Sequence, residues 1–324
     1  MERDGLTALI ESSDLDGLVR HIDGLVLARD WDGVEAVRDR CREAVERGKQ
    51  VWGPAEYAEY RIALDGPAER AAGVVRDGKG RYGPGPLWEV AASTHRWAEL
   101  DPHLSTPTVR ALVAHERVIR GDAVDPSTID PRIVEAPPEL QAWEPPYTVA
   151  VYRDDGVDFP EGDRSPLAWV DLPEPGARLA DDPAVDALYA LVQPWWDESS
   201  GHADAAHVAG PAEGAIRSLG PHRARVAEIS FAEALSIMVW AGAAGGAYGN
   251  RRGTPVGRSL AWTALAALLG YDELPEDTSV LGEGSELRWL LWDPGDAVGG
   301  WAFHLAVEDP VDAVAWAVSA VDMR

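Results

Sequence analysis

The chain is short of the residues that most often carry covalent, metal or redox chemistry. A single cysteine, Cys41, rules out an internal disulfide and any paired C-x-x-C for zinc or thiol exchange. Cys41 falls in a helical pattern, where a thiol is expected to be buried and inert. Lysine stands only at Lys49 and Lys79 and asparagine only at Asn250, and 14 tryptophans accompany 3 phenylalanines. This bias marks a GC-rich coding sequence, with tryptophan as the large core filler. Positive charge is also scarce: 29 basic against 55 acidic residues leave a net charge of -26. Such a field repels phosphate backbones and anionic lipid, which excludes a general nucleic-acid or membrane-surface binder and favours solubility and a basic partner. A salt-loving habitat would produce the same balance. The start, MERDGLTALIESSD, lacks the basic and apolar regions of a signal peptide, and no run reaches the roughly 20 apolar residues of a membrane span. A cytoplasmic location is the expectation.

The 324 residues can hold one large or two medium domains. Three stretches differ in character. Residues 1–122 read as a series of short helices packed as antiparallel hairpins, repeat-like in architecture without a recurring residue pattern. Leu18, Val19, Ile22, Leu25 and Val26 form one helical stripe. Asp30 can cap the next helix, whose face carries Val34, Val37, Cys41 and Val45. Further starts stand at Gly53-Pro54, Gly66-Pro67, Gly85-Pro86 and Thr106-Pro107, and Gly121 closes the last.

Residues 123–180 are rich in proline and read as a connector with a small β element. Tyr147 to Tyr152 alternates in strand fashion, and Asp155-Gly156 suits a hairpin turn. Residues 181–324 read as an α+β domain. It has a helix from Asp182-Pro183 to Val192, another between Pro211 and Gly220, and a strand over Arg225–Ile229. Two strands follow, Glu286–Trp292 and Trp301–Val307, then a helix over Val311–Val321 behind an Asp309-Pro310 cap. The fold class is therefore mainly α, α+β: a helical half, then a half with a small hairpin-containing sheet around a central helical hairpin.

That hairpin, Ser230 to Gly270, is the most apolar segment. Ser230 and Glu233 make a capping box for its first helix, and Thr254 as cap with Pro255 at the first position opens the second. Glu233, Arg251, Arg252 and Arg258 interrupt the run, so a buried hairpin fits better than a membrane span. Gly242, Gly245, Gly246 and Gly249 leave backbone amides bare just ahead of a helix N-terminus. With Asn250, Arg251, Arg252, Thr254 and Arg258 they supply the parts of an anion site. The plain alternative is that the arginines pair with internal carboxylates.

Other motifs lack their partners. Gly78-Lys79-Gly80-Arg81-Tyr82-Gly83 has dinucleotide-loop spacing, but Pro84-Gly85-Pro86 blocks the helix that should carry the pyrophosphate. His115-Glu116 lacks a second histidine four residues on, where Ile119 stands. His202, Asp204 and His207 match neither one helical face nor a standard zinc spacing, and read as solvated side chains of a polar loop. Ser93, Thr94 and His95 are adjacent, point apart on a helix, and fit local hydrogen bonding. The acidic loop Asp154 to Asp163 lacks the register of a calcium loop. No nucleophile elbow or Walker loop occurs. These residues name no catalytic group, metal ligand or cofactor.

The segments EVAASTHRWAEL, AHERVIRGD, GGAYGNRRGTPVGR and AVEDPVDAVAWAVSAVD together resemble an uncharacterised family of acidic proteins of unknown function from high-GC actinobacteria. The resemblance covers most of the chain, implies a bacterial cytoplasmic setting and brings no activity. The expected function is a non-catalytic interaction or regulatory protein with an unidentified protein partner. Two alternatives accompany it. One is an enzyme or small-ligand binder with a phosphate-like anion at residues 242–258, where His95 or His304 could act as acid or base. The other is an acidic decoy or immunity protein for a basic partner.

Overall fold

A computed structural model describes residues 2–75, 84–162, 164–180, 182–295 and 300–323. The chain divides into two compact units. The first comprises residues 1–130 with 150–158, and the second comprises 131–149 with 159–324. The proline-rich stretch is thus shared between them.

The first unit is helical: α1 (Glu2–Ser12), α2 (Leu15–Leu27), α3 (Trp31–Glu46), α4 (Trp52–Asp65), α5 (Ala68–Val74), α6 (Leu87–Thr94), α7 (Trp97–Leu100) and α8 (Pro107–Ile119). The starts follow local chemistry. Asp30 accepts from Gly33 N at 3.0 Å and Thr106 from Val109 N at 3.3 Å, each satisfying an amide that the helix cannot. The stripe of α2 buries Leu18, Ile22 and Val26, and α3 buries Val34, Val37, Cys41 and Ala44, while Val45 turns outward. Neighbours pack in series, α3 on α4, α4 on α6 and α6 on α8. A hairpin of β1 (Val151–Arg153) and β2 (Gly156–Asp158) completes the unit. Its register, Arg153 opposite Gly156, makes Asp154-Asp155 the two-residue turn, one position before the pair expected from sequence.

The second unit contains β3 (Ala168–Asp171), β4 (Ala177–Arg178), α9 (Pro183–Val192), α10 (Pro194–Asp197), β5 (His202–Ala209), α11 (Ala212–Ser218), β6 (Arg223–Ile229), α12 (Phe231–Ala243), α13 (Thr254–Leu268), β7 (Arg288–Asp293), β8 (Gly300–Asp309) and β9 (Val314–Met323). The strands form one antiparallel seven-stranded sheet in the order β3-β6-β7-β8-β9-β5-β4. Strand alternation sorts the two faces. Leu290, Trp292, Ala306, Ala315 and Ala317 pack with Ala212, Ala215 and Ile216 of α11. Trp289 and Trp301, on the opposite parity, meet Phe231 and Trp240 of α12.

Two sequence expectations change here. Val311–Val321 is not a helix, because Asp309 accepts from Val311 N and Asp312 N at 2.8 and 3.1 Å, and Ala313 turns at φ 55° into β9. That strand is buried on both faces, so its alternation is hidden in a continuous apolar run. His202 to His207 lie in β5 rather than in a loop. The 202 and 204 side chains share one face there and 207 takes the other, stacked on Trp316 at 5.2 Å.

Candidate functional site

The turn between α12 and α13 is built inward. Gly253, at φ 96°, is the N-terminal cap of α13, a conformation that favours glycine, and Thr254 is the first helical residue instead of the cap. Five amides of the turn have internal acceptors. Arg252 N and Gly253 N donate to Ala243 O at 2.8 and 3.3 Å, closing the turn on the end of α12. Ala247 N donates to Asp322 at 2.6 Å, Tyr248 N to Ser199 at 3.2 Å and Asn250 N to Glu198 at 3.3 Å.

The arginines are equally engaged. Arg258 is fully buried and grips Glu144 through Nε and Nη2, both at 2.6 Å, while it also donates to Pro137 O and Glu139 O. Tyr147, Trp262 and Gln141 N donate to the same carboxylate, so five hydrogen bonds converge on Glu144. Burial opposes the charge of Glu144, and the Arg258 hydrogen bonds overcome it and hold its pKa below the usual value. Arg251 is buried over Phe159, 4.6 Å from the ring centre, and donates to Thr254 at 3.1 Å.

Arg252 has a third role. Pro194 has no amide hydrogen to offer Ala190 O, and Arg252 Nη2 donates to Ala190 O and Leu191 O instead, capping α9. Burial lowers the Arg252 pKa to about 10, with Glu198 opposing the shift. Of the residues expected to form an open anion site, Asn250, Arg251, Arg252, Thr254 and Arg258, the three arginines each have internal partners. The turn joins these residues, but their guanidinium groups hold helix ends and the 131–149 segment in place.

The remaining singled-out groups have local roles. His95 bonds Ala91 O at 3.0 Å and Gly66 O at 2.8 Å, while Ser93 and Thr94 donate to Val90 O and Leu64 O. His304 sits behind Trp292 with Ser319 at 3.0 Å, and burial pushes its pKa down to about 4. His202 pairs with Asp204 at 2.9 Å, and His207 lies 3.6 Å from Asp182. No group of three or more candidate metal-binding side chains occurs among the described residues. The Gly78 to Gly83 motif lies outside them.

An open site lies in the helical unit. Asp23, Val26, Leu27, Arg29, Trp31, Tyr57, Arg61, Asp65, Asp154 and Asp155 line a cleft of about 710 Å³. A smaller, mainly apolar cavity of about 290 Å³ adjoins it and shares Tyr57 and Asp154, with Tyr60, Glu56, Pro84 and Arg153 on its walls. The α4 spacing Tyr57-Arg61-Asp65 puts three polar groups on one stripe. Arg61 bonds Asp65 at 2.9 Å, Tyr57 at 2.8 Å and also Asp23, while Tyr57 donates to Asp23 at 2.7 Å. Burial works against the charge on Arg61, but the hydrogen bonds it donates to Asp65 and Tyr57 raise its pKa above the ordinary value. The Tyr57 and Tyr60 rings stack at 6.5 Å, and burial pushes the Tyr60 pKa up to about 12.

Asp154 and Asp155 are exposed in the β1–β2 turn and hold no ion partner among the described residues. Arg29 lines the cleft from a left-handed position, φ 55°, where a helix usually places glycine. Leu27, 88 % exposed, forms an apolar lip. Sequence reasoning marked the 154–163 loop as acidic and missed the rest. The legible trace was the i,i+4 spacing on α4, and nothing local signals that Asp23 on α2 closes the network.

No curated protein and no solved structure matches the chain. Residues 16–322 match the profile described as a family of unknown function (DUF6183), and the chain belongs to that family.

Proposed function

We propose that the protein is a non-catalytic cytoplasmic interaction protein whose contact point is the cleft of the helical unit. The observation that carries this reading is the combination of a fixed aromatic and ionic wall, Tyr57, Tyr60 and Arg61, with the aspartates Asp154 and Asp155 at the rim, which have no ion partner among the described residues. Its size falls in the range of pockets that hold a side chain or small group, about 300 to 1,000 Å³. Among the described residues, the lining offers neither a thiol nor a hydroxyl–imidazole pair that could attack a bound group. The apolar lip at Leu27 favours a macromolecular partner over a small solute. No helix among the described residues is long and apolar enough to cross a membrane.

A photo-crosslinking residue at position 155, compared with one at the exposed position 273 of the second unit, tests the reading in cells. A discrete polypeptide adduct formed from 155 and not from 273 supports it. Equal labelling from both positions, or no polypeptide adduct from 155, overturns it.

A further inference from the structure

We propose that the group received by this cleft is the cationic side chain, guanidinium or ammonium, of a basic peptide segment, its aliphatic stem lying against Tyr57 and Tyr60. This rests on the reading of the cleft as the docking point and specifies its occupant. Among the described residues, the aspartates lining the two adjoining cavities, Asp23, Asp65, Asp154 and Asp155, outnumber the guanidiniums, Arg29, Arg61 and Arg153, by one. Asp23 and Asp65 already hold Arg61. Asp154 and Asp155 hold no cation among the described residues, and Asp154 borders both cavities.

The molecule itself shows how such a group is seated. The Arg61 guanidinium lies over Tyr57 at 5.7 Å with carboxylates on two sides, combining ring and ionic attraction. The 290 Å³ cavity has room for one side chain, and its apolar walls suit a methylene stem. The larger polar cleft leaves room for the flanking residues of the segment. A net charge of -26 draws a basic partner towards the protein from a distance, as it repels an acidic one.

The test uses the full chain and four labelled hexapeptides, of arginine, lysine, glutamate, and neutral glycine-serine with one tyrosine, followed by fluorescence anisotropy at low and physiological salt. The arginine and lysine peptides should bind best, and more weakly as salt rises. D154N/D155N should weaken them about tenfold, the effect of two surface pairs, with folding unaffected because both residues lie in an exposed turn. D272N/E273Q removes the same charge from exposed positions of the second unit and should leave affinity within about twofold, separating the cleft from the general field. Loss by D154N/D155N of less than about twofold overturns the proposal, as does equal binding of basic and neutral peptides. If the neutral peptide binds and Tyr57→Leu abolishes that binding, the cleft still docks a peptide and only the cationic occupant is refuted. If no peptide binds, the docking reading falls with it.

Discussion

Replacing Glu144 with glutamine probes the connection between the 131–149 segment and α13. Both partners of the Glu144–Arg258 pair are essentially inaccessible, with side-chain exposures of 0 % and 1 %. Glutamine keeps the shape but has one acceptor oxygen. Whichever way it is turned, its amide NH₂ faces donors: Arg258 Nη2 and Gln141 N on one side, or Arg258 Nε, Tyr147 and Trp262 on the other. Breaking a buried pair in this way costs about 3 to 5 kcal/mol, because a charge and several donors lose their acceptor. Urea unfolding of wild type and variant, followed by circular dichroism, should show a loss of about 3 kcal/mol or more. The pH dependence should change as well. The folded pKa of Glu144 lies below its unfolded value. Its contribution is therefore present above the unfolded pKa and lost as pH falls through the folded one, so the variant's deficit shrinks in acid. A cost under about 1 kcal/mol, or a deficit independent of pH, would refute the reasoning.

Other outcomes follow from the same physics. An added Cβ at Gly257 overlaps Val239 O and stands 2.6 Å from Ala243 N where α12 meets α13. Gly257→Ala should therefore destabilise by about 1 to 3 kcal/mol in a thermal melt. His304 has a folded pKa of about 4, below the ordinary 6.5. The unfolded chain then binds a proton that the folded one refuses, and stability falls as pH drops from 6.5 towards 4. His304→Gln should remove about 2 to 3 kcal/mol of the loss seen between pH 7 and about 4.5 in urea melts. Inorganic phosphate should raise the melting temperature no more than chloride at matched ionic strength, since the turn arginines have internal partners. A phosphate-specific rise abolished by Arg252→Ala would contradict that assignment.

Local chemistry made much of the fold legible. The pairs Asp182-Pro183, Gly66-Pro67 and Thr106-Pro107 each mark a helix start, and Gly270, at φ 80°, follows the second helix of the central hairpin. Legibility failed where a strand is buried on both faces, as in β9, because alternation then carries no signal. It also failed where a residue's partner is remote in sequence. Glu233 caps as expected through its amide, but its carboxylate is taken by Ser165 N and Oγ at 2.8 Å, so the reciprocal half of the capping box is replaced. The arginines of the turn stand out in the sequence because they adjoin a helix start. Their roles depend on Glu144 and on the carbonyls beside Pro194, which no local pattern connects to them. The cleft is a similar case, assembled from α2, α4 and a turn that lies about ninety residues further on.

Hydrogen–deuterium exchange of the full chain with and without the hexa-arginine peptide addresses the site itself. Protection is predicted at residues 151–158 and along the Tyr57 to Arg61 turn of α4, with the 244–253 turn unchanged. Protection of 244–253 with none at 151–158 would contradict the account.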